Sequence, residues 1–196
     1  MSMKHRRSIV VMLLSLALSS TIPIFGDIQR KCNCTRTRSL PFIFGKNYSV
    51  CQKLFAAVVD ILPRGSTLLE LGSGGASAEF SKYYSVWSVE HDMVWLNRYN
   101  THYIYAPLVD NWYSIEVLKK ELPVKYDLIL VDGPPARIGR GKFLDHLDLF
   151  ITTVPIIFDD VNRIAEQDLM NRVAERLGRK AAVTVCGTKA FGVLLP

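Results

Sequence analysis

The sequence predicts an α/β protein with a doubly wound, mostly parallel sheet of seven strands whose last strand is antiparallel. Short apolar runs alternate with stretches of helical period after residue 50, and successive strand–helix units build a parallel sheet with right-handed crossovers. A glycine-rich turn directly follows the first run, Thr67–Leu71. The last two predicted strands are separated by four residues, 187–190, and so short a connection makes an antiparallel hairpin.

A helix over Ser49–Leu62 leads into the first strand, because its apolar residues recur with helical period until Pro63-Arg64-Gly65 ends it. Thr67–Leu71 has no polar alternation before its closing acid, which is typical of a strand buried on both faces. The predicted strands are Thr67–Leu71, Ser85–Glu90, His102–Ala106, Tyr126–Val131, Val154–Phe158, Ala181–Cys186 and Phe191–Leu195. The predicted helices between them are Ala76–Tyr84, Asp92–Tyr99, Tyr113–Leu122, Gly141–Phe150 and Arg163–Leu177.

The net charge of +6 is concentrated in the N-terminal part of the chain. Residues 1–46 carry eight Lys/Arg residues and one acidic residue, a net charge of +7. Residues 47–196 carry sixteen basic and seventeen acidic residues, a net charge of −1. A protein that binds nucleic acid through its charge needs a basic face on the folded domain. The sequence therefore predicts no nucleic-acid partner.

The N-terminal part has the order of a secretory leader. Basic residues at positions 4–7 precede an apolar run, residues 9–25, and this order is typical of a signal peptide. Cleavage near Gly26 would release a secreted protein, whereas an uncleaved run would anchor the chain in a membrane in type II orientation. The other interpretation is a buried N-terminal helix. We therefore predict a signal peptide or signal anchor over 1–26, a basic lumenal linker over 27–48 and one domain over 49–196.

Two glycosylation sequons and the cysteines agree with a secretory location, either in the lumen of the Golgi or ER or outside the cell. The sequons begin at Asn33 and Asn47. The four cysteines are Cys32, Cys34, Cys51 and Cys186. The first three lie in or beside the N-terminal arm, where an oxidising lumen would allow pairing. Cys186 lies in an apolar strand and is expected to be a buried thiol; no pairing follows from the sequence.

The turn after the first strand resembles that of a known family. An acid precedes the first glycine by two residues in Glu70-Leu71-Gly72-Ser73-Gly74-Gly75, and this pattern is similar to that of class I S-adenosylmethionine-dependent methyltransferases. A dinucleotide-binding turn would have Gly or Ala at position 77, which is Ser here. The resemblance covers residues 50–196 and implies the Rossmann-like methyltransferase fold. It also implies that Glu70, Gly72, Ser73, Gly74 and Gly75 hold the methionine part of the cofactor.

The same resemblance assigns the rest of the cofactor to the next two strand ends. Glu90 would accept both ribose hydroxyls, since two adjacent donors match two carboxylate oxygens, with His91 as its neighbour in the site. Asp110, in the loop after the third strand, would accept from the adenine amine. The alternatives are a solvated Glu90 at a helix start and, for the aromatic residues Trp112 and Tyr113, a place in the core.

Three acids follow the next two predicted strands. Asp132 ends one strand, and Asp159 and Asp160 follow the next; because adjacent parallel strands are about 4.8 Å apart, these carboxylates are expected to converge. Close acids repel unless one is protonated or a cation lies between them, and oxygen ligands favour Mg²⁺ or Mn²⁺.

The acids resemble the metal site of catechol-type O-methyltransferases, with Asp132, Asp159 and Asp160 as ligands of Mg²⁺. That family's catalytic lysine corresponds to Pro135 here. Asp132 and Asp159 are therefore the predicted catalytic residues, with Asp132 as general base without a metal as the alternative. Capping of helix starts is a further interpretation for Asp160. The basic loop with Arg137, Arg140 and Lys142 predicts either binding of an anionic substrate or a solvated loop.

The sequence thus predicts methyl transfer from S-adenosylmethionine to an oxygen nucleophile. The leader, the nearly neutral domain and the segment Val131-Asp132-Gly133-Pro134-Pro135, which resembles carbohydrate-modifying methyltransferases, favour a sugar or glycan hydroxyl as acceptor. The alternatives are a methyltransferase of a small phenol or lipid and a non-catalytic Rossmann-like protein that binds a nucleotide or a partner.

Overall fold

A computed structural model describes residues 50–196 of the chain. The predicted leader, residues 1–26, and the predicted linker, residues 27–48, lie outside the described residues, as do both sequons. None of the helices within residues 50–196 combines the length and the apolar character needed to cross a membrane.

The described residues form nine strands and five α-helices. The strands are β1 (Thr67–Leu71), β2 (Ser85–Glu90), β3 (His102–Tyr105), β4 (Leu108–Val109), β5 (Trp112–Tyr113), β6 (Leu128–Val131), β7 (Ile156–Phe158), β8 (Ala181–Cys186) and β9 (Lys189–Leu194). The α-helices are α1 (Gln52–Ile61), α2 (Gly75–Phe80), α3 (Ile115–Glu121), α4 (Lys142–Asp145) and α5 (Ile164–Leu177).

Seven strands make one sheet in the order β3-β2-β1-β6-β7-β9-β8. Strands β3, β2, β1, β6 and β7 are parallel, and the last strand, β9, runs antiparallel to both β7 and β8. The predicted sheet and its antiparallel last strand are confirmed. The chain leaves β1 towards β2 and β3 on one side and returns to β6 on the other. Ligands of such sheets bind beyond the carboxyl ends of the strands at this switch point.

Buried apolar residues cover both faces of the sheet, because successive side chains of a strand point to opposite sides. Leu69, Ile129 and Ile156 belong to one core with residues of α3, α4 and α5. Their neighbours along the strands, such as Leu68 and Leu130, are equally buried. On that other face α1 and α2 pack together, with the rings of Phe55 and Phe80 stacked at 5.0 Å. The sheet is therefore doubly wound, as predicted.

The predicted helix Asp92–Tyr99 is wrong. Only one 3₁₀ turn, Met93–Trp95, forms after β2, with the Asp92 carboxylate accepting from the Val94 amide at 3.0 Å. Leu96 is extended, and Asn97 has a φ of 59° in the left-handed region. Two successive residues outside the right-handed helical region stop propagation of the helix.

The predicted loop after the third strand is a β-hairpin, formed by β4 and β5. Its two central residues, Asp110 and Asn111, have φ values of 51° and 62°. Positive φ at both positions is the geometry of a type I′ turn, which suits the twist of a two-residue hairpin loop and is well tolerated by Asp and Asn. The hairpin takes Tyr113 into a strand, so the predicted helix Tyr113–Leu122 begins only at Ile115, after a cap by Ser114.

Three other predicted elements have different bounds in the structure. The predicted helix Gly141–Phe150 is divided into α4 and a 3₁₀ turn, Leu147–Leu149, because His146 leaves the helical region with φ −120°. The predicted strand Val154–Phe158 begins only at Ile156, after Pro155, which has no amide hydrogen for a ladder. The final hairpin connection is two residues rather than four, since β9 begins at Lys189.

Candidate functional site

The two loops at the switch point are in backbone contact. Gly72 follows β1 with a φ of +92°, and a Cβ built on it would lie 3.1 Å from both the Cα and the amide nitrogen of Gly133. Gly133 follows Asp132 after β6, and a Cβ on it would collide with the Tyr113 hydroxyl and with Gly72. Only glycine combines positive φ with so close an approach. The two glycines therefore bring the loops after β1 and β6 together.

The glycine-rich loop after β1 is held by hydroxyl groups. The Ser73 hydroxyl lies 3.1 Å from that of Tyr103 in β3 and 3.3 Å from that of Ser77. The Gly74 amide donates to the Ser77 hydroxyl at 3.0 Å. Ser77, the residue that distinguishes this turn from a dinucleotide-binding turn, is fully buried. It fixes the shape of the loop from inside.

Glu90 lies at the end of β2, beside the glycine loop, as predicted for the ribose-binding acid. One of its carboxylate oxygens accepts from the amides of His91 at 2.6 Å and Asp92 at 2.8 Å. The other accepts from the Ser73 amide at 3.0 Å. A carboxylate accepts about four hydrogen bonds, so this arrangement leaves one acceptor position on the oxygen that faces Ser73. Its predicted contact with both ribose hydroxyls would require one amide to give way.

Glu70 is the inner acid of this half of the site. It is 2% exposed, and the Ser88 hydroxyl donates to it at 2.5 Å. Burial raises the pKa of Glu70 to about 8, against the opposing effect of hydrogen bonds from Ser77 and Ser88. A buried carboxyl shielded from water favours its neutral form. Glu70 thus supports the glycine-rich loop in its neutral form and does not present a negative charge at the carboxyl ends of the strands.

Buried polar atoms without hydrogen-bond partners concentrate at this edge of the sheet. Three of the five such side-chain atoms within residues 50–196 are His91 Nδ1, the Tyr113 hydroxyl and Asp159 Oδ1. His91 Nδ1 is 2.8 Å from a Glu90 oxygen, but the contact lacks the angle of a hydrogen bond. An unpartnered buried polar atom costs free energy and calls for an explanation such as a bound ligand or water.

Asp110 lies apart from these groups. It is exposed at the tip of the β4–β5 hairpin, whereas Trp112 and Tyr113 of the same hairpin are buried in the core, as the alternative interpretation expected. The contact of Asp110 with adenine stays a prediction.

The three acids after β6 and β7 converge as predicted. Oxygen atoms of Asp132, Asp159 and Asp160 all lie within 4.8 Å of one another. Asp160 has a φ of 61°, a left-handed turn that Asp tolerates and that directs the chain from β7 towards α5. The side chains of Asp159 and Asp160 are buried, whereas that of Asp132 is 26% exposed.

A buried arginine, Arg140, lies among these acids. Its Nη2 donates to Asp132 Oδ1 at 3.1 Å and to Asp160 Oδ2 at 3.2 Å. Its Nη1 donates to the Asp159 carbonyl at 3.0 Å, and its Nε to the Pro134 carbonyl at 3.2 Å. A planar guanidinium suits such a fork of acceptors. The side chain is 4% exposed, so for Arg140 both predicted alternatives, binding of an anionic substrate and a solvated loop, are wrong.

Two further cations contact the acids of this cluster. Lys189 Nζ, from the start of β9, lies 3.3 Å from Asp160 and 3.5 Å from Asp159. Arg163 Nη1, just before α5, lies 3.1 Å from Asp160. Within residues 50–196, Asp160 forms ion pairs with all three cations, whereas Asp132 forms one with Arg140. Arg163 also lies 4.0 Å from the buried Glu166, so the three cations face four carboxylates.

Asp132 is the acid of the cluster whose protonation state changes near neutral pH. Burial raises the pKa of Asp132 to about 7, the nearby Asp159 adds to the rise, and Arg140 opposes it. Burial, with Asp160 as its neighbour, also raises the pKa of Asp159. Because Asp132 combines a partly open side chain with a pKa near neutrality, it is the member of the cluster best placed to exchange a proton with a ligand.

The same contacts test the predicted Mg²⁺ site. A metal bound by the three acids would lie between their oxygens, and this is where Arg140 bridges Asp132 to Asp160 and Lys189 bridges Asp159 to Asp160. An ion of charge +2 would meet carboxylates that are already paired with three cations. The arrangement of these residues does not fit a divalent metal.

Solved structures with a similar fold include methyltransferases. Fibrillarin from Aeropyrum pernix, crystallised with natively bound S-adenosyl-L-methionine, has a TM-score of 0.54 and 15% identity over 73% of this chain and 74% of its own. A methyltransferase from Pyrococcus furiosus has a TM-score of 0.51 and 18% identity over 72% of this chain and 80% of its own. A methyltransferase-like protein from Silicibacter pomeroyi has a TM-score of 0.50 and 22% identity over 76% and 88%.

At identities this low, the structural similarity establishes the fold alone. The chain has the class I methyltransferase fold. No protein-family model matches the sequence, and a search of curated proteins gave no significant match. The fold assigned by resemblance is therefore confirmed by structural likeness, together with the strand order described above.

The sequence pattern did not reveal the three cations that contact the acids after β6 and β7. Lys189 was hidden in the final hairpin connection, and Arg163 was placed only as the first residue of a helix. Arg140 was placed in a basic loop that either binds an anionic substrate or is solvated. No periodicity marks Arg140 and Lys189, because their acids are distant along the chain, whereas Arg163 lies only three residues after Asp160. The one available signal was the prediction of three converging acids, which requires positive charge from some source.

Proposed function

We propose that the protein is an S-adenosylmethionine-dependent methyltransferase that methylates an oxygen nucleophile. The observation that carries the proposal is the joining of two half-sites at the switch point. The glycine loop and Glu90 lie on one side, Asp132 lies on the other, and Gly72 and Gly133 hold the two in contact. A cofactor acid and a proton acceptor are thereby placed at one edge of the sheet, where this fold binds its ligands.

The residues of the first half-site suit the cofactor. Glu90 keeps one acceptor position for a ribose hydroxyl, and the unpartnered Tyr113 hydroxyl lies against the two glycine loops. The loop from Gly72 to Gly75 would hold the methionine part, and the exposed Asp110 the adenine amine. When bound, S-adenosylmethionine supplies a methyl group on a sulfonium, which leaves as a neutral thioether.

In the second half-site Asp132 would accept the proton of the acceptor hydroxyl. A general base works best when its pKa is near the working pH, and burial raises the pKa of Asp132 to about 7. Arg140 holds the carboxylate in one orientation from a buried position. Alignment of the hydroxyl with the methyl group is the remaining contribution of the protein.

A sugar or glycan hydroxyl is the acceptor that the sequence supports best. The support consists of the predicted leader over residues 1–26, the two sequons, the nearly neutral domain and the resemblance of the segment 131–135 to carbohydrate-modifying methyltransferases. The same features support a location in the secretory pathway, with a small molecule or a glycan as the partner. Screening labelled methyl transfer onto oligosaccharides, catechols and lipids would separate the glycan acceptor from the phenol and lipid alternatives.

Calorimetric titration of the full chain with S-adenosylhomocysteine tests the cofactor first. We expect micromolar binding by the unmodified protein and an affinity roughly 10–100-fold lower for Glu90→Gln, since the substitution removes a charge-assisted hydrogen bond of about 1.5–3 kcal/mol. Glu116→Gln, an exposed acid in the first turn of α3, is the matched control and should bind as the unmodified protein does.

Thermal melting of each variant accompanies the titration, because Glu90 also holds three backbone amides. A folded, unmodified protein that does not bind S-adenosylhomocysteine would overturn the proposal. Full binding without methyl transfer to any acceptor pool would instead favour the non-catalytic binding protein.

A further inference from the structure

Two cysteines meet where the first helix reaches the edge of the sheet. Cys51 immediately precedes α1, and Cys186 ends β8. They are 135 positions apart in the sequence, yet they lie close enough in the fold for the Cys186 thiol to help raise the pKa of the Cys51 thiol. Both residues are half-buried free cysteines. The sequence had grouped Cys51 with the cysteines of the N-terminal arm, so this pairing is a product of the fold.

Contacts that do not involve sulfur hold the two elements together. Lys53 Nζ, in the first turn of α1, donates to the carbonyl of Val185 at 3.0 Å. The buried face of α1, formed by Leu54, Phe55 and Val58, packs into the core. The start of α1 is thus fixed beside the end of β8, and the two thiols are neighbours because of this packing.

We propose that Cys51 and Cys186 form a disulfide when the protein meets an oxidising thiol–disulfide couple, so that α1 is linked covalently to the edge strand. In the reaction a sulfur–sulfur bond forms between the two residues, which lose two protons and two electrons. Oxidised glutathione takes up both and becomes two glutathione thiols. This inference does not depend on the proposed enzymatic activity.

The environment of the Cys51 thiol makes this thiol slow to react at neutral pH. Burial, followed by the hydrogen bond with Cys186, raises the pKa of the Cys51 thiol to about 11. The thiolate is the form that attacks a disulfide. At pH values below that pKa, the rate of oxidation through the Cys51 thiolate should therefore rise roughly tenfold for each unit by which the pH is raised.

The link would enclose most of the domain. Strand β8 is the last strand of the sheet, and a bond between residues 51 and 186 closes a loop around β1 to β7 and α1 to α5. A long closed loop restricts the unfolded chain. We expect the melting temperature of the oxidised protein to exceed that of the reduced protein by roughly 5–15 °C.

Peptide mapping of the full chain tests the pairing. The protein is equilibrated with oxidised glutathione, blocked with N-ethylmaleimide and digested with trypsin without reduction. Cleavage after lysine and arginine places Cys51 in peptide 47–53, Cys186 in peptide 181–189, and Cys32 with Cys34 in peptide 32–36. We expect peptides 47–53 and 181–189 to be joined. Blocked thiols in both peptides, or a link between 47–53 and 32–36, would overturn the proposal.

A stability measurement separates this link from any other. The difference in melting temperature between oxidised and reduced protein should vanish in Cys186→Ala and persist in the double variant Cys32→Ser/Cys34→Ser. Each difference is taken within one variant, so a loss of stability caused by the substitution itself cancels. A difference that persists in Cys186→Ala would contradict the proposed disulfide.

Discussion

The two halves of the site hold their carboxylates in different ways. On the cofactor side, Glu90 is held by three backbone amides and Glu70 by the hydroxyl of Ser88. On the other side, Asp132 and Asp160 are held by the guanidinium of Arg140. The amides belong to the backbone, so any substitution other than one by proline leaves them in place. The cations are side chains, and each can be removed by a single substitution.

This difference teaches where the site is rigid and where it is open to change. The first half-site depends on the conformation of the turn after β1, which Gly72 and Ser77 fix. The second half-site depends on ion pairs between acids and the three cations. The electrostatic energy of these pairs changes when any one of the groups gains or loses a charge. Chemistry that moves a proton belongs in the second half, because a group there can change its protonation state without rebuilding the backbone.

Removal of the central cation should have the largest effect. Arg140→Met leaves Asp132 without its ion pair, while Asp160 keeps Lys189 and Arg163, and breaking a buried pair in this way costs about 3–5 kcal/mol. We expect the free energy of unfolding, measured by urea denaturation, to fall by about this amount, together with loss of activity.

Arg137→Met is the control for that substitution, since Arg137 is an exposed arginine of the same loop and should change the free energy of unfolding by less than about 0.5 kcal/mol. Equal effects of the two substitutions would mean that the contacts of Arg140 with the acids do not stabilise the fold.

Asp132→Asn should have the next largest effect, on activity rather than on folding. Loss of a general base lowers kcat by roughly 10²–10⁴-fold. Because burial raises the pKa of Asp132 to about 7 and the base acts when ionised, the rate of the unmodified enzyme should fall as the pH drops below about 7. Initial rates on an acceptor found by screening, measured between pH 5 and 9, check both statements.

The residual activity of Asp132→Asn should lack this acidic limb. Asp148→Asn, which changes an exposed acid beyond α4, should keep both the rate and the limb. A full rate in Asp132→Asn would remove Asp132 from the mechanism.

The fold was largely predictable because its buried strands carry a local signal. The bounds of β1, β2 and β8 were predicted to the residue; in β1, for example, Glu70 is the one polar residue of the run Leu68–Leu71. The helix predicted over Asp92–Tyr99 failed because apolar spacing does not reveal a left-handed residue such as Asn97. The hairpin after β3 was missed although Asp110-Asn111 is a turn pair of the expected kind.

The candidate site was predictable to the extent that its residues follow strands. Asp132 and Glu90 lie at strand ends, and parallel topology brings strand ends together. Arg140 follows no strand, and its partners lie 8 and 20 positions away along the chain. Long-range charge pairing has no period, so a sequence pattern cannot reveal which arginine of a basic loop turns inward.

On the cofactor side, Glu70→Gln should give a smaller effect that appears as pH dependence. Burial raises the pKa of Glu70 from 4.5 to about 8, so the folded protein retains a proton that the unfolded chain releases. The free energy of unfolding should therefore fall as the pH rises from about 4.5 to about 8, by at most about 1.4 kcal/mol per pH unit. Glutamine cannot ionise, and this component should be absent from Glu70→Gln in denaturation at pH 5 and pH 8.

Glu79→Gln, a half-buried acid of α2 that pairs with Lys82, is the control and should keep the pH dependence of the unmodified protein. An unchanged difference between pH 5 and pH 8 in Glu70→Gln would mean that Glu70 is ionised in the fold.

Chelation should have the smallest effect, and it tests the second half-site most directly. Because Arg140, Lys189 and Arg163 are paired with the acids, a divalent ion could bind only by displacing a cation, and EDTA should leave the initial rate unchanged within error. Inhibition by EDTA that Mg²⁺ reverses would mean that the metal displaces a cation from Asp160. Lys189→Met distinguishes the two cases. Loss of this partly exposed cation leaves Asp159 without its ion pair. The substitution should make the rate depend on Mg²⁺ only if side-chain cations, rather than a metal, offset the charge of the acids in the unmodified protein.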